Sequence, residues 1–225
     1  RASTDAALNL ICAAKYAISD IAEIALVGHK DINDDACLAM PGTKVRKMHT
    51  SRRDAFKVIN DTPIAEITPE KITILKEFNT RSDNDVKIDT KFEDKVTLIK
   101  VHPGQDPSIL EYYEQQGYKG IILEATGLGH VPGKTSVVNW IPKIKKAIRN
   151  GMTICATPQT IYGRLNPNVY SSGRDLQKTG IIFLNDMLSE TALVKLGYVL
   201  GHKKWNKKEK ILENTSNKFN HKITY

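Results

Sequence analysis

The segment VRKMHTSRRDAF (45–56) holds the residues best suited to proton chemistry. Lys47 is flanked there by Arg46, Arg52 and Arg53. Like-charge crowding and burial both disfavour an ammonium, which is how a lysine becomes useful as a base. On residue types alone, such a cluster is ordinarily solvated surface or paired with carboxylates. Three other stretches compete with it. GLGHVPGKT (127–135) follows a strand pattern and precedes a helix pattern, the context of a phosphate loop. Its spacing is wrong, because the glycine that a Walker loop requires falls on Leu128. Pro132 also lacks an N–H for a phosphate cradle. Thr4-Asp5 could activate a hydroxyl nucleophile beside a lysine, but a Thr-Asp pair opening an apolar run is ordinarily a helix cap. Finally, TPQTIYGRLNPNVYSSGRDL (157–176) reads as a long polar loop carrying Tyr162, Arg164, Asn166, Asn168, Tyr170 and Arg174. Loops of that kind usually form interfaces or active-site lids.

Hydrophobic periodicity sets out the elements that must position these groups. DAALNLICAAKYAIS after Thr4 predicts a helix apolar nearly all round, hence buried. AEIALVG (22–28) predicts a buried strand, and CLAM and KVRKM predict short strands around the Pro41-Gly42 turn. Thr50 and Ser51 predict the cap of a helix running to about Ile59. PIAEIT and KITILKEF read as short β segments. Residues 79–94 read as a linker between a first part, 1–78, and a second, 95–225. VTLIKV, GIILEAT and MTICAT then alternate with the helical patterns SILEYYEQQ and SVVNWIPKIKKAIRN. Pro142 in the latter fits a first turn or a kink. LQKTG predicts a short helix, IIFL a strand, LSETALVKLGYVLG an amphipathic helix, and 206–213 a final Lys-rich helix. This β-α-β-α-β order predicts a parallel sheet.

Composition narrows the class. The chain has 225 residues, 40% hydrophobic and 26% charged, which is enough to build a core and excludes disorder and collagen. No apolar run approaches the roughly 18 residues that a membrane helix needs. The absence of a basic-then-apolar leader at its start makes a cytoplasmic protein the expectation. Thirty-three basic against 25 acidic residues leave a formal charge of +8, which suits a polyanion-facing protein. No aromatic-interleaved basic motif accompanies that charge. Cys12, Cys37 and Cys155 are odd in number and far apart, which argues for reduced thiols. The six histidines show no metal-ligand spacing, so no metal or cofactor is expected.

STDAALNL, VRKMHTSRRDAF, EATGLGHVP, TIYGRLNPNVYSSGRDL and ETALVKLGYVLG together resemble the asparaginase-related D-subunit of the archaeal glutamyl-tRNA(Gln) amidotransferases. The likeness runs from residue 3 to about residue 201. The VRKMHTSRR and YGR-N-VYSSGR segments separate that family from plain bacterial asparaginases.

The resemblance implies an α/β, asparaginase-like fold: a parallel-sheet three-layer domain, its N-terminal part missing here, plus a smaller C-terminal α/β domain. It implies glutamine as substrate, hydrolysed to release ammonia. A partner, the amidotransferase E-subunit, would use ATP and Mg to activate the glutamyl group on Glu-tRNA(Gln) and receive that ammonia, in a dimer of heterodimers. It implies Lys47 as the catalytic lysine, working with two threonines and an aspartate. Those three belong to segments expected before Arg1, so residues 1–225 alone are expected to be inactive. Two further readings stand beside this one: a free-standing L-asparaginase, and a non-catalytic module whose basic face supports docking.

Overall fold

A computed structural model describes residues 4–83, 85, 88–205, 210, 211 and 213. The chain divides into two compact units, Arg1–Lys87 and Ile88–Asn220. The division falls within the stretch 79–94.

The first unit opens with helix α1, Ala6–Ala17. Alanine-rich sequence favours helix here, and Leu8, Cys12 and Tyr16 fall on one face at four-residue spacing. That face alone is buried. Leu10 and Ile11 are exposed, so the expectation of a helix buried all round is corrected. The cap is also local: Asp5 is the N-cap residue without a side-chain cap bond, and Thr4 Oγ1 accepts from the Ala6 N–H at 3.2 Å. The buried face packs on a four-stranded antiparallel sheet in the order β1-β2-β5-β6. Its strands are β1 (Ala25–His29), β2 (Cys37–Pro41), β5 (Ala65–Ile67) and β6 (Ile72–Ile74).

The two remaining strands, β3 (Val45–Lys47) and β4 (Phe56–Val58), form a separate antiparallel pair. This overturns the helix expected from Thr50 to about Ile59. Ser51 does not cap a helix; its N–H donates to His49 Nδ1 at 3.0 Å, inside a turn. The segment has no apolar stripe at helical spacing, whereas Phe56 and Val58 alternate as a strand requires.

The stretch after β6 is not featureless. The Asn79 N–H and side-chain amide both donate to Glu23 Oε1, at 3.0 and 2.8 Å, and Thr80 bridges Ile21. From Ile88 onward the chain belongs to the second unit. There Asp89 Oδ2 lies 2.8 Å from His202 Nε2, and the Glu93 N–H donates to the Gly197 carbonyl at 2.9 Å.

The second unit is built on a parallel sheet in the order β10-β9-β8-β7: β7 (Val96–Lys100), β8 (Gly120–Ala125), β9 (Thr153–Pro158) and β10 (Ile182–Phe183). Parallel neighbours need crossovers, which helices α2 (Ile109–Gln115), α3 (Trp140–Arg149) and α4 (Ser171–Gln177) supply. The β8 strand is buried on both faces. Ile121, Leu123 and Ala125 point into a core with Trp140 and Ile144 of α3. Ile122 points the other way, against Leu196 and Val199 of helix α5 (Ser189–Gly201). Pro142 is the third residue of α3, within its first turn, where no intrahelical bond is lost. The Asn139 side chain caps that helix by accepting from the Ile141 N–H at 3.1 Å.

Two loop expectations change. LQKTG is the end of α4 and the turn after it, not a helix of its own. The 157–176 stretch is held at several points: the Leu165 N–H donates to the Asn185 carbonyl and the Asn166 N–H to the Leu128 carbonyl, at 3.0 and 2.9 Å. The final Lys-rich helix expected at 206–213 lies outside the described residues, apart from Lys210, Ile211 and Glu213.

Gly173, buried in α4, is where close approach requires glycine. An added Cβ would run into the Pro167 carbonyl oxygen and lie 2.9 Å from Pro167 Cα. Backbone cannot rotate aside as a side chain can. Gly173→Ala is therefore expected to lower stability by about 1–3 kcal/mol, read as a shift of the urea midpoint; coincident unfolding curves would contradict this packing.

Candidate active site

Lys47 ends β3 directly opposite Phe56 of β4. Its Nζ stands 5.8 Å from the centre of the Phe56 ring and has no hydrogen bond or ion pair among the described residues. It lines an open cleft of about 750 Å³ within the first unit. Thr4, Asp5 and Asn9 at the start of α1 form one wall, Gly28 and His29 of β1 another, and Thr50 to Arg53 the rim beside Lys47. The cleft thus sets one unpartnered amine among hydroxyls, guanidinium groups and one carboxylate, that of Asp5.

The loop that follows Lys47 is tightly held. The Met48 N–H donates to the Ala55 carbonyl at 2.6 Å, closing the turn. Asp54, only 5% exposed, accepts from Arg52 Nε at 2.5 Å, Arg52 Nη2 at 2.6 Å and Lys57 Nζ at 2.6 Å. Hydrogen bonds from Arg52, then from Lys57, hold the Asp54 carboxyl far below the usual carboxylate range. The carboxylate pairing that residue types alone suggested for the basic cluster therefore applies to Arg52 and Lys57, and not to Lys47.

A second network lies under the opposite wall. His29, 1% exposed, sets Nδ1 2.7 Å from Asn9 Oδ1 and Nε2 2.8 Å from Asp34 Oδ1. Asn9 Oδ1 also accepts from Cys37 Sγ at 3.4 Å, while Asn9 Nδ2 donates to Asp5 Oδ2 at 3.4 Å. The chain of contacts orients the Asn9 amide and ties the Asp5 carboxylate to the sheet. All three cysteines are buried, and burial pushes the Cys37 and Cys155 thiols up to about 12. They are poor nucleophiles there.

Of the residues singled out from sequence, the structure brings Lys47, Thr4, Asp5, Arg52 and Arg53 to one cleft. It does not make a phosphate cradle of 127–135. Gly129 and His130 spend their N–H groups on the Thr126 carbonyl at 3.0 and 2.9 Å, in a closed turn. Sequence reasoning missed Asn9, His29 and Asp54. For Asp54 a signal existed: it is the one carboxylate in the basic run from Arg46 to Lys57. Among the described residues no group of three or more His, Cys, Asp or Glu could hold a metal ion. No helix there is long and apolar enough to cross a membrane.

The Asp54 pairing carries a pH dependence of known sign. A carboxyl whose folded pKa lies below its unfolded value of 3.8 stabilises the fold fully above that value. The contribution fades as pH falls towards the folded value. Stability measured from pH ~5 down to ~2 should therefore drop more steeply for the native chain than for Asp54→Asn. Parallel profiles would show that the pairing is not felt by the fold.

The family model "Asparaginase, N-terminal" matches residues 1–80, and "Glutaminase/Asparaginase C-terminal domain" matches residues 95–212. The D-subunit of the glutamyl-tRNA(Gln) amidotransferase of Thermococcus kodakarensis is 52% identical over 204 residues, 90% of this chain and 45% of that protein. The D-subunit from Methanococcus maripaludis strain S2 is 46% identical over 229 residues, 99% of this chain and 54% of that one. The chain thus spans about half the length of these relatives. The thermostable L-asparaginase from T. kodakarensis superposes with a TM-score of 0.81 at 26% identity, covering 95% of this chain and 61% of that one. L-asparaginase I from Vibrio cholerae shares the fold, with a TM-score of 0.70 at 23% identity over 84% of this chain and 55% of that one. The chain has an asparaginase-like α/β fold and belongs to the glutaminase/asparaginase family, within which its relatives of about 50% identity are D-subunits of archaeal glutamyl-tRNA(Gln) amidotransferases.

Proposed function

We propose that this chain is part of the glutaminase component of a tRNA-dependent amidotransferase. It would hydrolyse glutamine to glutamate and ammonia. The ammonia would pass to a partner, the E-subunit, that uses ATP and Mg to convert Glu-tRNA(Gln) to Gln-tRNA(Gln) in the cytoplasm. One observation carries this reading: the 52% identity to the D-subunit of a glutamyl-tRNA(Gln) amidotransferase extends over 90% of the chain. The likeness to the T. kodakarensis L-asparaginase, at 26% identity, is half as close in sequence. That ordering favours the amidotransferase over a free-standing asparaginase.

Lys47 is the residue assigned to chemistry. Amide hydrolysis through a hydroxyl nucleophile needs a group that accepts the hydroxyl proton as the oxygen attacks the side-chain carbonyl. The proton then goes to the leaving amine, which departs as ammonia, and water releases glutamate from the acyl intermediate. An amine with no competing partner, standing at an open cleft, suits that exchange. Thr4 is not assigned as the nucleophile, because its hydroxyl already accepts the Ala6 N–H at the start of α1. The nucleophilic threonine and the threonine–aspartate pair are assigned to residues outside 1–225, so residues 1–225 alone are proposed to be inactive.

The test uses the full-length protein with its partner. Lys47→Ala is expected to lower ammonia release from glutamine by about 10³-fold, in the range that removal of a proton-transfer group gives, while the complex still assembles. Ammonia release at the native rate by Lys47→Ala would sink the reading and favour a docking module. Rapid asparagine hydrolysis without partner or tRNA would favour the free-standing asparaginase.

A further inference from the structure

The hairpin that presents Lys47 is crowded with cations and contains one carboxylate. Arg46, Lys47, Arg52, Arg53 and Lys57 are all within it, with Asp54 alone opposing them. Asp54 does not neutralise its surroundings evenly. It engages Arg52 through both Nε and Nη2, a forked geometry that fixes direction as well as charge. Its other contact is Lys57, which lies on β4 and pairs in register with Arg46 of β3. One buried carboxylate therefore ties the turn to the strand. Lys57 Nζ also donates to the Lys30 carbonyl at 3.4 Å, extending the tie to the segment after β1.

Lys47 sits at the end of this arrangement. The next residue, Met48, makes the bond that closes the turn, and its acceptor, Ala55, is the residue after Asp54. The Ala55 N–H in turn donates to the Arg52 carbonyl at 3.1 Å. The backbone on both sides of the Lys47–Phe56 pair is thus held by residues that the Asp54 clamp holds. The clamp also occupies Arg52 and Lys57. Lys47 is left as the amine without a partner at the cleft, while Arg52, on the rim of the same cleft, and Lys57 have their charge met by Asp54.

We propose that Asp54 is a positioning residue for the amidohydrolase reaction: by binding Arg52 and Lys57 it fixes the turn 48–55, aims the Lys47 amine, and neutralises two cations that neighbour it. The proposal rests on the assignment of Lys47 to proton transfer. It adds a residue that touches neither substrate nor the reacting atoms.

The test is made on the full-length protein with its partner, comparing Asp54→Asn, Asp54→Glu and Arg52→Lys. Asparagine keeps the shape and loses the charge that holds both cations. Its kcat for glutamine hydrolysis is expected to fall by about 100-fold, the scale set by ångström-level misplacement of a catalytic group. KM for glutamine is expected to stay within about twofold, since uniform binding is untouched. Asp54→Glu, which keeps the charge, should recover part of the rate. Amide exchange at Met48 should quicken in Asp54→Asn and not in Lys47→Ala. Native kcat in folded Asp54→Asn, or a lowered melting temperature with kcat and KM both kept, overturns the proposal. Should Asp54→Asn not fold, Arg52→Lys decides: it keeps the charge but loses the fork, and a native kcat overturns the proposal equally. Full activity in Lys47→Ala would defeat the Lys47 assignment itself. Lost activity in Lys47→Ala with none lost in Asp54→Asn defeats only the role given to Asp54.

Discussion

A buried carboxylate needs partners, and in this hairpin the requirement organises everything around the candidate catalytic lysine. Asp54 is nearly inaccessible and meets three N–H donors at 2.5–2.6 Å. Removing a charge from water is costly unless hydrogen bonds replace the lost hydration. Arg52 and Lys57 provide that replacement, from the turn and from β4. The pairing converts a run of mutually repelling cations into an ordered turn. It also separates the cations by role: two are bound to a carboxylate, and one amine, on Lys47, faces the cleft unpartnered.

The rest of the first unit serves the same end by different forces. Leu8, Cys12 and Tyr16 seat α1 on the antiparallel sheet through apolar burial. That packing brings Asp5 and Asn9, at the start of the helix, to the cleft. His29 then anchors Asn9 from below, with Asp34 holding the other ring nitrogen. Hydrophobic packing sets the positions coarsely, and directional polar contacts set the orientations. The second unit follows a simpler logic. Its sheet is covered on both faces, so β8 reads as an apolar run interrupted by Glu124 rather than an alternating one.

The match between sequence and structure varies with the physical origin of each element. The strands VTLIKV, GIILEAT and MTICAT and the helices between them were legible because burial on both faces leaves a continuous apolar signature bounded by glycines and polar turns. Pro142 fitted either a first turn or a kink, and the structure puts it in the first turn, where its missing N–H is harmless. The 50–59 segment was not. Thr50 and Ser51 are good caps in isolation, yet the Asp54 clamp and the Met48–Ala55 bond outweigh a cap with no apolar stripe behind it. The α1 helix was found but its burial overstated, since a helix apolar in composition still buries only the face that has something to pack against.

Lys47 was singled out as the candidate only through its motif. Residue type and charge crowding left it indistinguishable from Arg52 and Arg53, and a resemblance in the surrounding text singled it out. Asn9 and His29 were unreadable, because their roles depend on partners brought together by folding: His29 is 20 residues from Asn9. What the sequence by itself determined is the family and the alternation of elements, since these reside in local order and motif text. What only the tertiary structure decided is which charges are neutralised and which are left free, because pairing depends on distances of a few ångströms that no linear spacing encodes.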